Sequence, residues 1–162
     1  MVGEKSTPLS EMKIVVDANI VFSSILNSNG KIGDLIINSN RIFTFIAPDF
    51  LRTEIYSHYD KLIEISHLRL EQILESEYQI YKSITFISEE QISLESWQFA
   101  DSLVSDIDPK DVIYIAYNKQ FKCKLWTGDK KLINGLANKN YKNVLTTDDL
   151  FLMRNEKLRF RG

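Results

Sequence analysis

Short apolar runs alternate along this chain with longer stretches whose apolar positions recur every three or four residues. The runs Ile14-Val15-Val16, Ile42-Phe43-Thr44-Phe45-Ile46-Ala47, Ile84-Thr85-Phe86-Ile87, Leu125-Trp126 and Val144-Leu145 are rich in β-branched and aromatic residues. They predict strands at about 13–17, 42–47, 83–87, 123–127 and 143–145. Between them the pattern predicts helices at 20–26, 31–38 and 49–60, then a long helical stretch over 61–83. Leu51, Ile55, His58 and Leu62 trace the inward stripe of the 49–60 helix; Leu62, Ile65, Leu68, Ile73 and Ile80 carry the stripe of 61–83. Ser88 with Gln91 three residues on resembles a capping box that starts a helix through about 104. Further helices open at Asp108-Pro109-Lys110-Asp111, span 130–138 and begin again at Thr147. Strands alternating with helices argue for an α/β fold, with a mainly parallel sheet of four to five strands covered on both faces.

The 162 residues suit one domain at 12–152, preceded by a flexible leader at 1–11 and followed by a basic tail at 153–162. Met12 is an alternative start. The first residues carry no apolar h-region, and no apolar run approaches the ~20 residues of a membrane span, so a cytoplasmic chain with no membrane partner is expected. Cys123 is the one cysteine; it excludes an internal disulfide, fits a reducing compartment and reads as a structural thiol. His58 and His67 lack the cysteine pattern of a zinc site. Phe43, Phe45, Phe50, Tyr114, Tyr117 and Trp126 read as packing residues rather than base-stacking platforms.

Charge changes the picture. The net charge of -2 conceals 8 Lys and Arg against 17 Asp and Glu in residues 1–109, then 12 against 5 in residues 110–162. A basic half, in which Lys130 and Lys131 are candidate backbone contacts, suits a polyanionic ligand; solvated lysines on helix faces explain the same count.

Four acids stand out. Asp17 and Asp129 each follow a predicted strand, and in a parallel sheet ligands gather outside the carboxyl ends of the strands. Each is also explicable as a helix cap, although Asn19 could cap in place of Asp17. Glu54 sits on or beside an apolar stripe, where it is either a ligand or an edge residue. Asp108 is the natural cap before Pro109, and Asp111 is a ligand or a capping-box partner. Gly128 is read as the residue that turns the chain sharply off its strand. Thr127 and Asn19 are placed to orient carboxylates. Converging carboxylates repel, by about 4 kcal/mol at ~4 Å and an effective dielectric near 20. Such a cluster either protonates or binds a hard divalent cation.

The order strand-Asp17-Ala18-Asn19, a helix bearing Glu54, Asp108-Pro109-Lys110-Asp111-Val112-Ile113-Tyr114-Ile115-Ala116, then Leu125-Trp126-Thr127-Gly128-Asp129 resembles the PIN-domain ribonucleases, VapC-like toxins among them. The resemblance covers roughly residues 12–150. It implies a three-layer α/β/α sandwich and cleavage of single-stranded RNA with Mg²⁺ or Mn²⁺. Asp17, Glu54, Asp111 and Asp129 would be the catalytic and metal-binding acids, with Asn19, Asp108 and Thr127 behind them. It further implies an antitoxin partner and allows a homodimer. Asp111 is preferred to Asp108 because it stands five residues before Ala116. The long helical region over 61–104 departs from the most compact toxins. The alternative is a catalytically weak PIN-like module that binds RNA or protein. Phosphoryl-transfer folds of the haloacid-dehalogenase or response-regulator kind fit worse: the first wants D-x-D where Asp17-Ala18-Asn19 stands, and the second wants paired acids after strand 1.

Overall fold

Each apolar run becomes a strand, within one residue of its expected limits: β1 Met12–Val16, β2 Phe43–Pro48, β3 Ile84–Ile87, β4 Lys124–Trp126 and β5 Val144–Leu145. The computed structural model describes residues 12–161, so the expected leader at 1–11 lies outside the described residues. All pairings are parallel, in the order β3-β2-β1-β4-β5. Central β1 lies between β2, with Val15 opposite Ile46, and β4, with Val16 opposite Trp126. Ile14, Val15 and Val16 are all fully buried, as a strand covered on both faces requires.

The helices are α1 Ala18–Leu26, α2 Lys31–Asn38, α3 Phe50–Ser57, α4 Tyr59–Ser66, α5 Leu70–Tyr81, α6 Leu94–Val104, α7 Val112–Gln120, α8 Lys130–Asn138 and α9 Thr147–Arg161. On one side α7 lies against β1, β2 and β4, with α6 packed on it and α8 beside α6. On the other side α1 gathers α2, α3, α4 and α5, and α9 lies along α2. The result is the expected three-layer α/β/α sandwich. Among the described residues no helix is long and apolar enough to cross a membrane.

Several elements differ from the sequence pattern. The helix expected over 49–60 ends at Ser57, and exposed His58 is the joint before α4 rather than part of an inward stripe. The single helical stretch expected over 61–83 is broken at His67, which takes a left-handed conformation (φ 58°) and closes α4. Leu62, Ile73 and Ile80 are buried, but Ile65 is 49% exposed: one stripe has become two in different phases. Ser88 caps only a 3-10 turn at Glu89–Gln91, while Ser93 caps α6 by accepting from the Ser96 N–H at 3.1 Å. Another 3-10 turn, Pro109–Asp111, precedes α7. Helix α9 runs unbroken through 153–161, the stretch expected as a tail, and Arg154 ties it to Asp34 (2.9 Å) and Ser39 (3.2 Å) on the α2 side. Phe50, expected to pack, is 46% exposed. Gly128 has no left-handed φ, and a Cβ there would meet only Ile20 Cδ1 at 4.0 Å, so the turn does not require glycine. Burial pushes the Cys123 thiol up to about 11, which keeps it protonated and unreactive at neutral pH.

Candidate functional site

Adjacent parallel strands bring Asp17 and Asp129 together. β1 and β4 are neighbours whose carboxyl ends stop at the paired residues Val16 and Trp126, and the Asp17 N–H donates to the Trp126 carbonyl at 3.4 Å. From this edge β2 and β3 extend to one side and β4 and β5 to the other, which makes it the crevice where such sheets bind ligands. Glu54 enters from α3, one residue before buried Ile55. Asp108 and Asp111 enter from the 3-10 turn ahead of α7. Together with Asn19, Lys110 and Tyr114, these acids line one cavity of about 80 Å³. That is room for two or three waters or a partly hydrated ion, since a water occupies about 30 Å³ of liquid. A nucleotide would have to lie across its mouth.

Three of the acids are also helix caps. Asp17 Oδ1 accepts from the Ile20 N–H at 3.0 Å, so Asp17, rather than Asn19, caps α1. Asp129 Oδ1 accepts from Lys131 N–H (3.0 Å) and Leu132 N–H (3.2 Å) at the start of α8. Asp108 Oδ1 accepts from Lys110 N–H at 3.0 Å. Each cap occupies one oxygen, and a carboxylate has a second with lone pairs of its own. Cap and ligand were posed as alternatives from the sequence; in the structure one carboxylate can serve as both. The helix starts also place positive dipole ends at the acids, which lowers the cost of gathering negative charge there.

Asp111 is different. Its side chain makes no cap bond, it is 9% exposed, and its Oδ2 is buried without a hydrogen-bond partner. Burial pushes its carboxyl up to about 7, reinforced by the charges of Asp108, Asp129, Asp17 and Glu54. Asp17 is raised to about 6, chiefly by burial, against hydrogen bonds from Thr127 and Ile20, with repulsion from Asp129 and Glu54 added. The tightest group is Asp108, Asp111 and Asp129, each offering an oxygen within 4.8 Å of the others. Asp108, expected to stand behind the ligands, thus lies within the same 4.8 Å of Asp111 and Asp129.

Fully buried Thr127 bridges the two strand ends: its hydroxyl accepts from the Asp129 N–H at 3.1 Å and donates to the Asp17 carboxylate. Asn19 stands exposed on the rim in the first turn of α1. Lys130 and Lys131 are exposed in the first turn of α8, outside the cavity lining. Sequence reasoning missed two residues. Tyr114, a packing residue by its sequence, is 2% exposed, yet its hydroxyl donates to Glu54 Oε1 at 2.5 Å. Its signal was position, three residues after Asp111 on the same helical face. Exposed Lys110 brings a basic side chain to the cavity lining.

The carboxylates lining the cavity offer hard oxygens, the donors that Mg²⁺ and Mn²⁺ prefer. An orphaned buried carboxylate oxygen among like charges is the group such a cation would satisfy.

Comparison with known proteins bears on the fold and the family. No curated protein matches the chain. Among solved structures, the crystal structure of VapBC2 from Rickettsia felis bound to a DNA fragment from their promoter is similar in fold, with a TM-score of 0.57 and 14% identity, over 83% of this chain and 97% of that one. The family model described as PIN domain matches residues 15–149, a span that holds every one of the clustered acids. The chain therefore belongs to the PIN-domain family, whose members are generally nucleases.

Proposed function

We propose that this chain is a metal-dependent endoribonuclease that hydrolyses phosphodiester bonds of single-stranded RNA, and that it is the toxin of a toxin–antitoxin pair. The observation that carries this reading is the buried, unpartnered Asp111 Oδ2 within a cluster of carboxylates at the carboxyl edge of the sheet. Asp17, Asp111 and Asp129 would hold Mg²⁺ or Mn²⁺, with Glu54 completing the set. When bound there, such a cation would supply Lewis-acid chemistry, making water a better nucleophile at neutral pH and offsetting charge on the phosphate under attack.

The chain's own residues do the rest. Tyr114 holds Glu54 through their 2.5 Å hydrogen bond, so that its carboxylate can orient the attacking water. Thr127 and the backbone caps fix Asp17 and Asp129 against their mutual repulsion. Lys110 on the rim, with Lys130 and Lys131 at the start of α8, grips flanking phosphates. Asp108 caps its turn through Oδ1 and, within 4.8 Å of Asp111 and Asp129, would add an oxygen to the same ion. The Rickettsia felis neighbour is a VapBC2 complex bound to promoter DNA, which supports an antitoxin partner here. A homodimer belongs to the same reading, supported by Leu70, Leu74 and Tyr78, exposed four residues apart along α5.

Single-stranded RNA, duplex RNA and a small phosphoester incubated with Mn²⁺, each with an EDTA control, test the function directly. Cleavage of the single strand alone, abolished by EDTA, is the expected outcome. Hydrolysis of the small ester with RNA left intact would replace this reading with a phosphatase-like one.

A further inference from the structure

Beside the acidic pocket lies a second cavity of about 560 Å³, lined chiefly by Phe50, Trp97, Pro109, Val112 and Ile113. Lys110 lines both cavities, and Phe50 stands one helical turn before Glu54 on α3, so the two hollows share a rim. The acidic pocket, at about 80 Å³, is too small for a nucleotide, whereas its neighbour falls within the roughly 300–1,000 Å³ of ligand pockets. Phe50 is 46% exposed, an aromatic ring left in water at the edge of a charged site.

We propose that this groove binds a nucleobase of the single-stranded substrate against Phe50 and Trp97, while Lys110 holds the phosphate that links this base to the acidic pocket. The proposal rests on the ribonuclease reading for its substrate class and extends it to a base subsite. Aromatic side chains stack bases of any identity, and Lys110, which lines both the stacking surface and the chemical site, stands where a phosphate between them could be held. Glu89 supports a base rather than a phosphate in the interior. Its Oε2 is held by the Phe50 N–H (3.0 Å) and the Tyr117 hydroxyl (3.2 Å). A fixed carboxylate repels phosphate but accepts from an amino group such as that of cytosine.

The chain has two tryptophans. Trp126 is fully buried in β4, and Trp97 lines the groove, so fluorescence changes on binding report on the groove. The full chain is titrated with a single-stranded oligoribonucleotide, and separately with inorganic polyphosphate, in EDTA at low salt. There cleavage is stopped and phosphate contacts are strongest. The oligoribonucleotide is expected to quench saturably and polyphosphate is not. Trp97→Phe should remove the signal, and Phe50→Ala should weaken affinity by about tenfold or more. Quenching without Mn²⁺-dependent cleavage would keep the groove and overturn the nuclease reading. Cleavage with no quenching and unchanged Phe50→Ala affinity would overturn the groove alone and leave it as a protein-docking surface. Equal quenching by polyphosphate would overturn it as well.

Discussion

Asp111 and Asp17 are held above the ordinary carboxylate range, at about 7 and about 6, first by burial and then by neighbouring negative charge. The folded protein therefore keeps protons that the unfolded chain releases between about pH 4 and pH 7, so metal-free stability falls as pH rises through that window and is flat above it. The two groups together should cost several kcal/mol between pH 4 and pH 8, since a pKa difference of one is worth about 1.4 kcal/mol. Thermal melts in EDTA at several pH values check this. Asp111→Asn should flatten the slope and raise the melting temperature at pH 8; an unchanged slope would mean that Asp111 is not buried with its charge. Mn²⁺ should stabilise the wild type at pH 8 and Asp111→Asn much less. Asp108→Ala should behave differently, losing about 0.5–2 kcal/mol through its cap while retaining more Mn²⁺ affinity than Asp111→Ala in calorimetric titration. That these acids converge on one cavity was legible from their order and spacing. Their double duty was not, because cap and ligand leave the same local signature when one carboxylate has two oxygens. The triplet of Asp108 with Asp111 and Asp129 depends on how a 3-10 turn is set against β4, which no local pattern encodes.

Strands were easier to read than helices. A buried parallel strand is a continuous apolar run between polar punctuation, so β1 to β5 were bounded within a residue by composition alone. Helix breaks inside a periodic stretch left weaker marks: the spacing of Leu62, Ile65 and Leu68 continues smoothly into His67 and Arg69, with neither glycine nor proline to stop it. The break instead rests on His67 adopting φ 58°. Glycine takes that conformation at little cost, so His67→Gly should stabilise by about 0.5–1 kcal/mol if solvent covers the histidine ring, as its exposure indicates. Gly128→Ala, by contrast, should be neutral or slightly stabilising, since its backbone is ordinary and the space for a Cβ is open. Chemical denaturation of both variants measures the pair. A clear loss in Gly128→Ala would restore the turn-glycine reading. Phe50 misled for a related reason: aromatic identity suggests burial, but its place at the start of α3 turns it out into the groove.

At the scale of the whole molecule, the fold class followed from the alternation of strands and helices, and the family from four acids in a fixed order. What holds these acids together is the strand order. With β1 between β2 and β4, the residues that follow three neighbouring strands, and the turn leading into α7, all open on one edge. The aspartates among them stand at strand ends, helix starts and the turn into α7 rather than in a long loop. Such an arrangement should tolerate loss of one charge at the edge without unfolding. Purified wild type, Asp17→Asn and Asp129→Asn, each first shown to be folded by circular dichroism, are therefore compared for cleavage of single-stranded RNA in Mn²⁺. Cleavage by the wild type and none by either folded variant is the expected result; cleavage that survives in both would show that the carboxylate cluster is not where this chain does its chemistry.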